Sequence, residues 1–327
     1  MKLIVIGLGS MGKRRIRLLL KEFPGIIVCG VDLNQERRVQ VECEFNIRTY
    51  SYLTNAIDNE KPDAVFVCTS PISHADIALE SIEKGLHVFS EINLLCNKYD
   101  EIIHMAKSHD VQIFLSSTLL YRKEIQEIKQ NVLRESSRVN YRYHVGQYLP
   151  DWHPWEDYRD FFVANKNTNG CREILAIDLP WIIDVFGKIK EIYCLKDKMS
   201  GLEIDYPDNY IILLEHENGN KGALIVDIVS RKAVRDLLVY SENLYITWDG
   251  TPNSILKYNL ANNSMDKISV YDDVQKDYRY ADNIIENAYL EEIKVFIEKI
   301  NNSGNGEKYT FEEDKYTLSI IDQIEGV

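Results

Sequence analysis

The stretch KLIVIGLGSMG, residues 2–12, decides the fold of the amino-terminal part of this 327-residue chain. Its first five residues are a largely apolar run that stops at a glycine, as a buried strand does before a tight turn. Gly7, Gly9 and Gly12 then follow GxGxxG spacing, and apolar residues at helical spacing continue to residue 22. A strand, a glycine turn and a helix in this order predict the first βα unit of a dinucleotide-binding fold.

Each glycine of this turn has its own physical task. Gly7 permits the tight turn, Gly9 lets the backbone approach a pyrophosphate, and Gly12 lets the helix pack closely on the strand. The amino end of the helix adds N–H groups and a partial positive charge. We therefore predict that the whole turn lines the cofactor: Gly7, Leu8, Gly9, Ser10, Met11 and Gly12.

Asp32 indicates which dinucleotide is bound. It ends the next predicted strand, residues 26–31, about 20 residues after the glycine turn. Its carboxylate can accept hydrogen bonds from the adenosine ribose and would repel a 2′-phosphate, which favours NAD over NADP. Arg37 and Arg38 lie nearby in the sequence, so NADP is not excluded.

Strands and helices alternate through about the first 120 residues. Further strands are predicted at 63–68, 88–90 and 111–116, and helices at 34–45, 74–84 and 99–109. This order predicts a doubly wound parallel sheet with ligands at the carboxyl ends of its strands. The residues that end the 63–68 strand are predicted to contact the cofactor: Cys68, Thr69, Ser70 and Pro71. His74 follows them, either as a cofactor ligand or bonded to local backbone.

The pattern changes near residue 137. Long alternating runs joined by turn residues predict an open, mainly antiparallel sheet, and helices are predicted at 122–134, 172–186 and 278–301. Thr310 and Glu313 have capping-box spacing and open a last helix. The fold class is thus α/β, with a Rossmann domain at 1–120, an α+β substrate and oligomerisation domain at 121–308, and a helix within 309–327 that packs back on the first domain.

Composition excludes several functions. The net charge of −13 argues against nucleic acid and anionic membranes as partners. No apolar run approaches the ~20 residues of a membrane span, and the chain begins with a strand pattern, unlike a signal peptide. The six cysteines contain no CxxC pair, so we expect reduced thiols in a cytoplasm and no metal site.

These motifs resemble the Gfo/Idh/MocA oxidoreductase family. The resemblance rests on GLGSMG, on Asp32 in VDLNQER, and on CTSPISHADIALESIEKGLHV with the SE that follows. It implies a Rossmann domain, a second domain with an open sheet, and tightly held NAD(P). It also implies sugar-like or cyclitol-like substrates, and a homo-oligomer, a dimer or tetramer, formed through the open sheet.

The family's proton carriers are replaced here. Where the family usually has Glu-Lys-Pro, this chain has Glu91, Ile92 and Asn93, so the glutamate is kept while the lysine and proline are lost. Glu91 is predicted to contact the cofactor ribose, or else local backbone. The family also often carries an Asp…His pair on a helix of the second domain. The matching stretch, residues 169–181, contains no histidine, and either Glu173 or Asp178 could stand for the aspartate.

The stretch GQYLPDWHPWEDYR, residues 146–159, resembles a subgroup associated with bacterial surface-sugar gene clusters. Its aromatic faces suit sugar rings, and a histidine suits acid–base work. Predicted catalytic residues are His153, Asp178 and Glu173, and predicted substrate-binding residues are Tyr121, Arg122, Trp152, Arg172 and Arg231. A rigid loop around His153, and structural ion pairs for both arginines at 172 and 231, remain alternatives.

Three functions are compatible with these residues. The first is an NAD(P)-dependent oxidoreductase that moves a hydride between nicotinamide and a carbon of a sugar or sugar nucleotide, with a displaced proton carrier. The second is a cofactor-binding sensor or assembly partner without dehydrogenase activity. The third is an epimerase that recycles its bound cofactor at each turnover.

Overall fold

The computed structural model describes residues 1–153, 156–277, 281, 283–304 and 306–326. The chain divides into two compact units. The first consists of Met1–Ser117 and Tyr289–Lys315, and the second of Thr118–Ala288 and Tyr316–Val327. Part of the segment predicted for the second domain, from Tyr289 onward, therefore makes its contacts within the first unit.

The first unit contains a six-stranded parallel sheet. Its strands are β1 Lys2–Ile6, β2 Ile27–Val31, β3 Thr49–Tyr50, β4 Ala64–Val67, β5 His87–Ser90 and β6 Ile113–Leu115. They lie in the order β3-β2-β1-β4-β5-β6, so the order reverses beside β1, where an open α/β sheet binds ligands. The connecting helices are α1 Ser10–Glu22, α2 Gln35–Phe45, α3 Leu53–Glu60, α4 His74–Glu83 and α5 Tyr99–Ser108. The predicted doubly wound parallel sheet is confirmed.

Aromatic packing fastens one further helix to this sheet. Phe66, Phe89 and Phe114 stack across β4, β5 and β6 with ring centroids 4.6 and 4.9 Å apart. Phe296, from helix α8 (Glu286–Ile300), meets the first two rings edge-on at 5.4 and 5.5 Å. Fully burying four phenylalanines stabilises this layer by several kcal/mol, at ~2 kcal/mol each.

The second unit contains an eight-stranded sheet in the order β14-β13-β12-β11-β7-β10-β9-β8. Its strands are β7 Asn140–Gly146, β8 Ile189–Asp197, β9 Asn209–His216, β10 Lys221–Asp227, β11 Val234–Tyr240, β12 Tyr245–Trp248, β13 Ile255–Asn259 and β14 Ser264–Ile268. Only β7 and β10 pair in parallel among the pairings described, so the predicted mainly antiparallel sheet is confirmed.

Helices α6 Lys123–Arg134 and α7 Gly170–Phe186 belong to the second unit. Alternate residues of β7 face α7, and Tyr141 stacks on Phe186 while Tyr143 meets Trp181 edge-on. The last helix, α9, spans Phe311–Glu325, and the predicted capping box forms because Glu313 N donates to Thr310 Oγ1.

Candidate functional site

The glycine turn has the geometry that close backbone approach requires. Gly7 has φ +89°, and a Cβ there would lie 2.6 Å from the carbonyl oxygen of Cys68. A Cβ on Gly12 would lie 1.9 Å from the carbonyl oxygen of Gly7. A Cβ on Gly9, in contrast, would meet only a guanidinium nitrogen of Arg37, at 4.0 Å. Gly7 and Gly12 are therefore required by packing, whereas Gly9 faces open space that a pyrophosphate can occupy.

Asp32 joins the turn to the end of β2. Its Oδ2 accepts a hydrogen bond from Leu8 N at 2.8 Å, and its Oδ1 accepts one from Asn34 N at 2.8 Å. Gly9 caps α1 and no side chain caps that helix end, so the residues present fit a dinucleotide with its pyrophosphate at the amino end of α1. The predicted turn residues Ser10 and Met11 begin this helix.

The two arginines after Asp32 have different roles. Arg38 donates to the backbone oxygens of Asp32 and Leu33, at 2.7 and 3.0 Å, so it shapes the loop. Arg37 extends back toward Gly9. Arg37 is therefore the cation that could accept a 2′-phosphate beside Asp32.

Asp32→Asn is expected to shift cofactor preference by at least about tenfold toward NADP, because the variant removes the charge that repels a 2′-phosphate but keeps one amide oxygen as acceptor. Dissociation constants for NAD and NADP, measured by calorimetry, check this. The exposed Asp58, changed to Asn, is the matched control and should leave the preference unchanged. An unaltered preference in Asp32→Asn would contradict the assigned role.

His74 begins α4 and hydrogen-bonds the segment that follows β4. It is buried, and its Nε2 donates to the carbonyl of Thr69 at 2.9 Å while Nδ1 lies 2.8 Å from Asn93 Oδ1. Burial lowers the pKa of His74, so the ring is neutral. Both ring nitrogens thus serve the local backbone and the turn after β5, which fits the second of the two roles predicted for this residue.

The remaining predicted residues of this strand end surround His74. Cys68 is buried, and burial raises the pKa of its thiol well above the ordinary value, so it stays protonated. Thr69 Oγ1 lies 2.8 Å from Ser73 Oγ, and Ser70 and Pro71 begin the short helical turn before α4. Asn93, which sequence reasoning noted only as a lost proline, links this segment to β5.

Glu91 points to the protein interior. Its carboxylate accepts hydrogen bonds from Nε and Nη2 of Arg15, at 2.6 and 3.2 Å, and both residues are buried. Arg15 was missed by sequence reasoning, although it lies in the helix that follows the glycine turn. Direct contact of Glu91 with the cofactor remains a prediction.

The aromatic stretch of the second unit is partly described. Trp152 Nε1 donates to the carbonyl of Gln147 at 3.1 Å, and the His153 ring meets Phe161 edge-on at 4.9 Å. Burial lowers the pKa of His153, so the ring is neutral near pH 7. Pro154 and Trp155 of this stretch lie outside the described residues.

Arg172 and Glu173 begin α7 but have opposite environments. Arg172 is buried and ion-paired with Asp322, at 2.7 Å, and with Glu325. Glu173 is half-buried, and its Oε2 has no hydrogen-bond partner among the described residues. Burial raises the pKa of Glu173 to about 8. Arg172 therefore serves the helix packing, whereas Glu173 carries an unengaged proton site.

Asp178 lies in the core of the second unit. Its Oδ1 accepts from Tyr143 Oη, Trp181 Nε1 and Arg235, at 2.8, 2.9 and 2.5 Å. The residue is fully buried. These donors fix Asp178 between β7, α7 and β11, which favours a structural role.

The other predicted substrate residues differ in exposure. Tyr121 and Arg122 are buried, and Arg122 pairs with Glu124 at 2.9 Å. Arg231 is exposed, and its guanidinium lies 3.7 Å above the Tyr148 ring centroid. No carboxylate of the described residues pairs with Arg231, so its N–H donors face solvent.

A His–Asp pair was also missed from sequence. His144 Nε2 lies 2.7 Å from Asp227 Oδ2, and the same carboxylate accepts from the backbone of Val229 and Ser230. The parallel strands β7 and β10 bring the pair together, so no local sequence motif predicts it. Asp227 thereby holds the loop that carries Arg231.

Residues 1–117 match the Gfo/Idh/MocA family, described as an oxidoreductase family with an NAD-binding Rossmann fold. This match supports an NAD(P)-binding oxidoreductase of the Gfo/Idh/MocA type, as the motifs predict. Across the described residues, no helix is both long and apolar enough to cross a membrane, and no group of three or more potential metal ligands was found.

Similarity to known proteins extends over nearly the whole chain. It is 24% identical to myo-inositol 2-dehydrogenase of Thermotoga maritima, across 97% of this chain and 93% of that protein. The WlbA dehydrogenase of Bordetella pertussis, crystallised with NADH and UDP-GlcNAcA, has a TM-score of 0.74 at 16% identity, covering 99% and 94% of the two chains. UDP-N-acetylglucosamine 3-dehydrogenase GnnA of Acidithiobacillus ferrooxidans has a TM-score of 0.76 at 16% identity, covering 99% and 96%. These structures share its fold.

Proposed function

We propose that this protein is an NAD(P)-dependent oxidoreductase that moves a hydride between nicotinamide and a hydroxyl-bearing carbon of a sugar nucleotide, with Glu173 as the proton carrier. The observation that carries the assignment is the raised pKa of Glu173, about 8, together with its unpartnered Oε2. A proton carrier works best when its pKa lies near the operating pH. Glu173 meets that condition through burial alone.

Glu173 is better suited to this task than the other two candidates. Asp178 is fully buried: three donors hold its Oδ1, and its Oδ2, which no described residue engages, lies in the core where a substrate hydroxyl cannot reach it. The neutral ring of His153 packs edge-on against Phe161. Glu173 alone combines partial exposure with an oxygen that no described residue engages.

The nicotinamide, when bound, supplies hydride chemistry. The ionised carboxylate of Glu173 accepts the hydroxyl proton when the sugar is oxidised, and the protonated form returns it when the ketone is reduced. The glycine turn and Asp32 hold the cofactor, as their geometry allows.

The choice of a sugar nucleotide rests on Arg231. Stacking on Tyr148 orients its planar guanidinium, and since no carboxylate of the described residues pairs with it, its donors can bind a phosphate in a bidentate way. One of the similar structures was crystallised with UDP-GlcNAcA, and another is a UDP-N-acetylglucosamine 3-dehydrogenase. Arg231 and Glu173 both belong to the second unit.

Mixing the protein with NAD and a panel of nucleoside-diphosphate sugars tests this function. Reduced nicotinamide, detected by absorbance, should form with at least one nucleotide sugar and not with the free sugars. NAD at ~100-fold over its Kd should also stabilise the fold by ~2.7 kcal/mol. If NAD does not stabilise the protein and no nucleoside-diphosphate sugar of the panel is oxidised, the proposal is refuted.

We also propose that the protein assembles into a homo-oligomer through the open face of the second sheet. Neighbouring β8 and β9 present an apolar patch there: Tyr193, Leu195, Ile211 and Leu213, exposed by 63, 74, 46 and 53%. A contiguous exposed patch of this kind is typical of a protein interface.

Leu195→Arg is expected to convert the oligomer to monomers, because a charge in a covered apolar face is costly. Sedimentation velocity measures the change. Leu133→Arg places the same substitution at an exposed leucine of α6 and should leave the mass unchanged. A wild-type monomer, or an oligomer that survives Leu195→Arg, would contradict this assignment.

A further inference from the structure

A buried ionic cluster lies in the first unit, around Arg15 of α1. Arg15 is fully buried and contacts two carboxylates, Glu91 through Nε at 2.6 Å and Glu292 through Nη2 at 2.7 Å. Its guanidinium also donates to Tyr289 O at 3.0 Å and to Ser116 Oγ at 3.3 Å. Burying three charged groups costs desolvation free energy, which the matched hydrogen-bond donors and acceptors of the cluster offset. A hydrophobic cluster could fill the same space at lower cost, which suggests that the charges have a function.

The hydrogen bonds of Glu292 suit a carboxylate. Besides Arg15, it accepts from Ser116 Oγ at 2.8 Å and from Ser117 N at 2.9 Å. Burial raises the pKa of Glu292, and Arg15 opposes that rise. Counted by formal side-chain charge, two carboxylates surround one guanidinium, so the cluster has a net charge of −1.

The cluster reaches the ligand edge of the parallel sheet. Glu91 directly follows β5, and its Oε1 lies 3.9 Å from the thiol of Cys68, at the end of β4. Asp32 marks the adenosine half of the cofactor at the end of β2, on the other side of the strand-order reversal. The ends of β4 and β5 therefore belong to the nicotinamide half.

We propose that the Arg15–Glu91–Glu292 cluster sets the relative affinity of this protein for oxidised and reduced cofactor. The oxidised nicotinamide ring carries a positive charge and the reduced ring is neutral, so a fixed net negative charge nearby stabilises the oxidised form selectively. Glu292 thereby acts through charge, without touching the cofactor. The inference rests on the proposed use of NAD.

Glu292→Gln tests this inference, because it removes one negative charge while keeping the shape of the side chain. Kd values for NAD⁺ and NADH are measured by calorimetry at pH 8 on the full-length protein. The ratio Kd(NAD⁺)/Kd(NADH) should rise about tenfold, as expected for losing one unit charge ~12 Å from the nicotinamide at an effective dielectric of ~20. Glu91→Gln should shift the ratio in the same direction. It replaces Glu292→Gln in the test if that variant does not fold.

Two controls separate charge from structure. Arg15→Lys keeps the net charge but loses hydrogen bonds, so both affinities should fall together with the ratio unchanged. Glu291→Gln makes the same charge change at the exposed neighbouring residue and should also preserve the ratio, because solvent screens it.

Equal shifts of both constants in Glu292→Gln, or no shift of either, would overturn the inference while leaving NAD binding intact. A wild-type protein that binds neither form would refute the proposed function, and this inference with it.

Discussion

Glu173→Gln is expected to lower kcat for sugar-nucleotide oxidation by about 10²–10⁴-fold, because glutamine cannot accept the hydroxyl proton. Kd for NAD should stay unchanged, since the cofactor residues lie in the first unit and Glu173 lies in the second. The exposed Glu217, changed to Gln, removes an equal charge from the same unit and should keep wild-type turnover.

The pH dependence gives the same residue a second test. Oxidation needs the ionised carboxylate, so kcat in that direction should rise with pH and level off above the Glu173 pKa of about 8. Reduction needs the protonated form and should fall over the same range. In Glu173→Gln, neither the rise of kcat for oxidation nor its fall for reduction should remain. A wild-type profile without an inflection near pH 8 would contradict the assignment.

The pH dependence of the free energy of unfolding should reflect the same Glu173 pKa in the absence of substrate. The folded-state pKa, about 8, is raised from the ordinary value of 4.5, so the folded protein binds the proton more tightly than the unfolded chain. The resulting stability is fully present below pH 4.5 and is lost as pH rises through 8. Glutamine resembles the protonated acid, so urea unfolding should find Glu173→Gln more stable than wild type by about 5 kcal/mol at pH 9 and similar at pH 4.

Gly9→Ala is expected to weaken NAD binding by about 100-fold with little change in stability. Gly9 has φ −74°, which alanine adopts readily, and the added Cβ would have only Arg37 within 4.0 Å. The methyl group would occupy the space through which a pyrophosphate approaches the backbone. Calorimetry with NAD and thermal unfolding measure the two effects.

Gly12→Ala supplies the contrasting variant. Its Cβ would lie 1.9 Å from the backbone oxygen of Gly7, so α1 must shift and the fold should lose about 3 kcal/mol or more. If Gly9→Ala bound NAD as wild type does, the glycine turn would not be the pyrophosphate site.

The Rossmann half was predictable because its signals are local. A strand, a glycine turn and an acidic residue at fixed spacing specify β1, α1 and β2, and Asn34 caps α2 one residue before the helix begins. The two-residue strand β3 and the short helix α3 were missed, since so few residues show no period.

The second sheet was predictable in type but less so in detail. The alternating pattern at 237–247 predicts a single strand, whereas the chain turns at Ser241–Leu244 to form β11 and β12. That turn lacks glycine and is closed by the Ser241 side chain, so it gave no breaker signal. The strand β14, rich in polar residues at an exposed edge, was also missed.

Site residues were predictable where chemistry is local and unpredictable where pairing is distant. Asp32 follows from its spacing to Gly7, but Arg15 and Glu292 are 277 residues apart and only the fold joins them. The same holds for Arg172, whose partners Asp322 and Glu325 lie near the other end of the chain. Burial, which distinguishes Glu173 from Asp178, is a tertiary property that the helix pattern alone cannot assign.

In the function we propose, this chain oxidises or reduces a sugar nucleotide with Glu173 as the proton carrier. The most direct test is the rate at which reduced nicotinamide forms when wild type and Glu173→Gln, each saturated with NAD, are mixed with nucleoside-diphosphate sugars. We predict formation in the wild type and a loss of about 10² or more in the variant at unchanged NAD affinity. Equal rates in the two proteins would contradict the account.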